Sequence, residues 1–145
     1  MKTEKGIAAV VYKKSRGSLR VLILHRKKNW EGWELLKGHL ENGDYEETVR
    51  LELEEEAGID TEEIQKTQEL DHTVEWSYEG EEGEKIKREY RGFLVRVEPE
   101  TGVDVTQNPH DEHESGFFMK PEDAEALLTH DNQKKLLEEA LGEIS

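Results

Sequence analysis

The stretch KGHLENGDYEETVRLELEEEAGI, from Lys37 to Ile59, reads as a loop, a capped helix and a glycine stop. Asp44 and Glu47 stand at capping-box spacing, where an acceptor at the N-cap faces a carboxylate three residues on. Gly58 supplies the left-handed residue that ends a helix. Between them Val49, Leu53 and Ala57 recur every fourth residue and form one core-facing stripe. The spacing predicts a helix over Tyr45–Ala57. Glu52, Glu55 and Glu56 then lie at i, i+3 and i+4 and project from one side, with the stripe on another. Three carboxylates so close repel one another unless a cation sits among them. Oxygen ligands of this kind suit a hard divalent ion such as Mg²⁺ or Mn²⁺, which also takes up phosphate oxygens. A chain with 35 Asp and Glu also has solvated glutamate faces, so the triplet needs its context.

Upstream, Gly6–Tyr12 is a β-branched apolar run and Leu19–His25 a second, joined by the polar turn Lys13–Ser18; together they predict a hairpin. Trp30 and Trp33 flank Gly32, and Glu34-Leu-Leu36 runs into a loop over Lys37–Gly43. Downstream, Glu69–Tyr78 and Lys85–Val97 read as strands around the acidic turn Glu79–Glu84. Gly116–Met119 is a short strand. Pro121–Leu128, opened by proline, and Asn132–Leu141 read as helices. Strands and helices alternate irregularly, which favours an α+β fold: a mixed sheet covered by helices.

The whole chain sets further bounds. Its 145 residues suit a single domain over residues 1–145. A net charge of −15 disfavours nucleic acid as a partner, because backbone binding needs a basic footprint. It leaves a polyanionic small substrate open, since a metal and a few cations can reverse the sign locally. The absence of cysteine excludes disulfides and thiolate metal sites. Met1–Lys5 is charged and leads into a strand without an apolar signal segment, and no run is long enough for a membrane. A soluble, cytoplasmic chain with no membrane partner is expected.

The Lys37–Ile59 stretch resembles the Nudix box: Gly, five residues, Glu, seven residues, Arg-Glu, an aliphatic, any residue, Glu-Glu, any residue, Gly, an aliphatic. Gly38 matches the opening glycine, and Asp44 stands in place of the first glutamate. Glu52, Leu53, Glu55, Glu56, Gly58 and Ile59 match the closing half. Lys37-Gly38-His39 with Glu41 and Gly43 resembles most the branch that hydrolyses diadenosine tetraphosphate. Glu112-His113 before Phe117-Phe118 resembles that branch's late Glu-His pair. Two departures stand out. Leu51 occupies the arginine position, and the loop-to-helix spacing is one residue short, a gap that the cap near Asp44–Tyr45 can absorb. Arg50 is no direct substitute, since one helical step turns the side chain by roughly 100°.

The resemblance implies a Nudix-type α/β/α sandwich with a mixed β-sheet and a metal-dependent pyrophosphohydrolase. It implies Glu52, Glu55, Glu56 and the Gly38 carbonyl as ligands of Mg²⁺ (or Mn²⁺), and water attack on phosphorus. Glu56 and Glu112 are the candidate proton acceptors, with Glu55 beside them, and Glu112 is favoured if a loop brings it over the metal. Lys37, His39 and Arg88 are candidate phosphate contacts. Tyr90 and Phe118, with Trp76 and Tyr78, offer aromatic faces to a base. His110–Glu114 contains enough ligands for a separate metal site, yet alternation along an extended segment lets only a subset converge. The partner is a small nucleotide, diadenosine tetraphosphate first. Another nucleoside diphosphate derivative, an RNA 5′ end, or a catalytically weakened nucleotide-binding module are the alternatives. Monomer is the default state of that branch.

Overall fold

The computed structural model describes residues 2–144. One seven-stranded sheet is built from β1 (Lys2–Ser15), β2 (Ser18–Arg26), β3 (Gly32–Glu34), β4 (Leu36–His39), β5 (Ile64–Glu79), β6 (Lys85–Val97) and β7 (His113–Met119). Three helices, α1 (Tyr45–Ala57), α2 (Pro121–Leu127) and α3 (Asp131–Gly142), complete the fold.

β1 organises the sheet. It runs parallel to β6 from Lys2 to Tyr12, antiparallel to β4 over Gly6–Ala9, and antiparallel to β2 over Tyr12–Ser15. β2 continues to β3 and also pairs with β7, while β5 lies antiparallel to β6. The sheet is therefore mixed. The β1–β2 turn passes through Arg16 (φ 53°) and Gly17 (φ 80°), the two left-handed residues of a tight hairpin turn.

The unbroken apolar run at Ile7–Tyr12 follows from burial on both faces, because successive strand side chains alternate sides. Ile7, Ala9 and Val11 join Val49, Leu53 and Ala57 of α1 in one core layer. Ala8, Val10 and Tyr12 join Ala124, Leu136 and Leu137 in the other, under α2 and α3. The result is an α/β/α sandwich. Each fully buried Leu or Ile in these layers contributes about 1.5–3 kcal/mol relative to leaving it exposed.

α1 has the expected bounds. The Asp44 carboxylate accepts the Glu47 N–H at 3.0 Å. The reciprocal half of the capping box does not form, because the Asp44 N–H donates to the Glu41 carbonyl instead. The buried Thr48 hydroxyl then ties loop to helix, accepting the Glu41 N–H and donating to the Asp44 carbonyl, each at 2.8 Å. Gly58 (φ 65°) closes the helix, and the Ile59 N–H bonds back to the Leu53 carbonyl.

Other expectations are corrected. Lys37–His39 is not loop but part of β4, since Leu36 and Lys37 fill the β1 edge that β2 leaves open. β1 and β5 extend well beyond their apolar centres because β6 runs alongside both. Glu52, Glu55 and Glu56 do lie on a side of α1 apart from the Val49–Leu53–Ala57 stripe, but that side is not fully solvated: Glu52 and Glu56 are buried, and of the three only Glu55 is exposed.

Candidate active site

α1 and β4 approach closely at the site. A side chain at Gly38 would collide with the Glu52 carboxyl, so glycine is what lets helix and strand approach. Gly6 does the same one strand over, where a Cβ would strike the Gly38 carbonyl and the Tyr90 ring. Above this junction opens a cleft of about 320 Å³. Its acidic wall is Glu52, Glu55 and Glu56 from α1, with Glu41 and Glu112 from loops. Arg26, Lys37 and Arg88 line the same cleft.

Two of these carboxyl groups hold their protons more tightly than a solvated carboxyl does. Burial, and then the charges of Glu55, Glu112 and Glu41, push the Glu52 pKa up to about 8. Burial also raises Glu56 well above its ordinary value, followed by the charges of Glu52, Glu34 and Glu112. Glu56 and Glu112 share a hydrogen bond, which one of them can donate only while protonated. Glu56 Oε2 is buried with no hydrogen-bond partner among the described residues. Carboxyl groups held this far from their ordinary ionisation, with an oxygen left over, fit a hard divalent cation: it would ionise them and satisfy that oxygen.

Behind the cleft lies a knot of charge that composition does not reveal. Glu34, at the end of β3, is 1% exposed. His113 Nε2 reaches its Oε2 at 2.6 Å, and Arg26 Nη1 reaches the same oxygen at 3.2 Å. Lys37 Nζ stands 3.4 Å from Oε1 as an ion pair without hydrogen-bond geometry. Burial pushes the Glu34 pKa up, yet the His113 hydrogen bond and the Lys37 and Arg26 charges outweigh it and hold the group below its ordinary value. Arg26 also lies 3.7 Å from Glu112.

The substrate-side candidates divide. Lys37 lines the cleft with its ammonium 5.0 Å above the Trp76 ring. Arg88 lines it too, bonded to Glu4 at 2.9 Å and stacked 4.8 Å over Tyr78. Tyr90 is buried with its hydroxyl 3.2 Å from His39 Nδ1, and burial pushes its pKa up to about 12. Loss of solvent, then the Arg88 charge, keeps His39 below its ordinary value. Phe118 does not line the cleft: it packs in the α1-side core with Lys13 Nζ 4.5 Å over its ring. Alternation along β7 turns it there, so the base-facing expectation for Phe118 is not carried further.

The His110–Glu114 segment splits as its extended form requires. His110 and Glu112 line the cleft, and His113 turns inward. Asp111 and Glu114 pair instead with Lys27 and His25 at 3.3 Å each. Sequence reasoning missed Glu34, Arg26, Asn29 and Asn108. The available signal for Glu34 was a lone carboxylate between Trp33 and Leu35-Leu36, which has to find cations if it is buried. A second pocket of about 500 Å³ adjoins the cleft and shares Arg26, Asn29, Lys37 and Arg88 with it. Trp30, Trp76, His130, Asn132 and Gln133 complete its wall.

The family model described as the NUDIX domain matches residues 2–140. Among solved structures, a C. elegans Ap4A hydrolase binary complex is 23% identical, covers 96% of each chain and superposes with a TM-score of 0.71. The NUDIX domain of Shewanella oneidensis NrtR, complexed with ADP ribose, is 15% identical over 100% of this chain and 90% of that one, with a TM-score of 0.76. The E. coli dihydroneopterin triphosphate pyrophosphohydrolase is 20% identical over 95% and 96%, with a TM-score of 0.72. No curated protein matches the chain.

Proposed function

This chain belongs to the Nudix family, and we propose that its substrate is a dinucleoside polyphosphate such as diadenosine tetraphosphate. As a member it is a hydrolase of pyrophosphate bonds. The observation that carries the finer reading is the continuity of the two cavities. Carboxylates at one end pass through Arg26, Lys37 and Arg88 into a pocket walled by two tryptophans. A chain of phosphates with a base beyond it matches that order of chemistries. Trp30 and Trp76 supply faces for stacking, worth about 1–3 kcal/mol per base. Lys37 and Arg88 supply phosphate contacts, with His39 at the rim.

Glu52 and Glu56, with Glu55 and the Gly38 carbonyl beside them, are the groups we assign to a divalent ion, Mg²⁺ or Mn²⁺. Bound there, such an ion lowers the pKa of water and offsets charge at phosphorus. The chain's own residues do the rest. Arg26 and Lys37 hold the phosphates against the acidic wall, so that the reacting phosphorus meets water rather than a repelling carboxylate. Glu112, on its own loop and partly exposed, is placed to accept the proton of the attacking water. The overall change adds water across one anhydride bond, giving ATP and AMP from diadenosine tetraphosphate.

The test is a panel of dinucleoside polyphosphates, nucleoside diphosphate sugars and 5′-triphosphate or capped RNA, with products identified. The expected outcome is the highest kcat/KM on the tetraphosphate and unequal products. A higher value on a nucleoside diphosphate derivative would replace the substrate assignment while leaving the chemistry.

A further inference from the structure

His113 is 2% exposed, and its two ring nitrogens have different fates. Nε2 lies 2.6 Å from Glu34 Oε2. That carboxylate also receives Arg26 and faces Lys37, so it acts as an acceptor and the imidazole proton belongs on Nε2. In the neutral ring Nδ1 then carries the lone pair, and among the described residues it has no hydrogen-bond partner. Glu56, 5% exposed, also has an orphaned oxygen, Oε2. One ligand atom from each of Glu56, Glu112 and His113 lies within 4.8 Å of the other two. Burying an unpaired polar atom costs about 1–3 kcal/mol, and His113 and Glu56 each carry one.

We propose that His113, fixed by the buried Glu34 carboxylate, is a nitrogen ligand to a divalent ion held at Glu56 and Glu112. A histidine that binds a metal through one nitrogen typically donates its other N–H to a carboxylate, which sets the tautomer and the ring orientation. Glu34 occupies that place. The inference rests on the metal-dependent reading above and adds to it a donor that the carboxylates cannot provide. Glu112 ligates through one oxygen and keeps the other for proton transfer. Mixed nitrogen and oxygen donors favour Mn²⁺ and later divalent ions over Mg²⁺. Arg26 and Lys37 are then held by the same carboxylate that orients the metal ligand, so Glu34 links the metal end of the site to its phosphate end.

The test is pulsed EPR on the full chain loaded with Mn²⁺, with binding followed in parallel by calorimetry and folding by circular dichroism. The wild type is expected to show an imidazole nitrogen coupling that His113→Gln abolishes and that His110→Gln and His39→Gln retain. Mn²⁺ affinity is expected to fall roughly tenfold or more in His113→Gln, with a smaller loss for Mg²⁺. Glu34→Gln gives a second handle: the nitrogen coupling weakens or shifts, and Mn²⁺ affinity falls about 10–100-fold. Bound Mn²⁺ without nitrogen coupling, or a coupling that survives in folded His113→Gln, would overturn the nitrogen ligand and leave the carboxylate site standing. No binding of either ion by the wild type would overturn both readings.

Discussion

Glu52 carries the clearest consequence of its surroundings. Its pKa rises from 4.5 to about 8, because burial and neighbouring carboxylates penalise its charged form. A folded state that holds the proton more tightly than the unfolded chain loses stability as pH climbs between those two values. The contribution of Glu52 is thus fully present below about pH 4.5 and gone above about pH 8. In thermal melts without divalent ions, Glu52→Gln should match wild type near pH 5 and exceed it at pH 8. Saturating Mg²⁺ should raise the wild-type melting temperature most at the alkaline end, since binding releases the same protons. If the wild-type and Glu52→Gln melting curves run parallel across that range, the assigned shift is wrong. Leu51 belongs to this scale as well. No ion pair joins Glu56 to Arg50 or to any other cation among the described residues. Glu56 is consequently held by Glu112 rather than by an arginine.

Among the elements, α1 bears most of the load, since one face seals a core layer while Glu52 and Glu56 enter the cleft beside it. Leu53→Ala removes a side chain that is 0% exposed and should cost about 2–5 kcal/mol in chemical denaturation. Asp44→Ala removes the cap and should cost about 1 kcal/mol. A Leu53→Ala loss below that of Asp44→Ala would contradict the packing described for α1. The helix was legible in sequence because its signals are local: Asp44, the Val49–Leu53–Ala57 stripe and Gly58. The hairpin and β6 were legible for the same reason. β4 was not, because Leu36–His39 is strand only by virtue of the open edge of β1. Glu34 was not legible as a partner of His113, since 79 residues separate them and only the β2–β3 and β2–β7 pairings bring them together. Glu112 was legible from its place beside His113, and its approach to Glu56 came with the fold.

For the whole molecule, a chain of net charge −15 can bind a polyanion because its charge is unevenly placed. Arg26, Lys37 and Arg88 collect at one cleft, and the two tryptophan faces stand beyond them. Trp76→Ala should raise KM for a dinucleoside tetraphosphate by roughly ten- to a hundredfold, with a far smaller change in kcat. Equal KM in the two proteins would remove the base from that pocket. No described helix is long and apolar enough to cross a membrane. The measurement that bears most directly on the account is steady-state hydrolysis of diadenosine tetraphosphate by wild type and Glu56→Gln, with and without Mg²⁺ or Mn²⁺. The prediction is turnover only with the ion, and a kcat lower by about 10²–10⁴-fold in the variant. Wild-type turnover by Glu56→Gln, or turnover indifferent to the ion, would contradict the account.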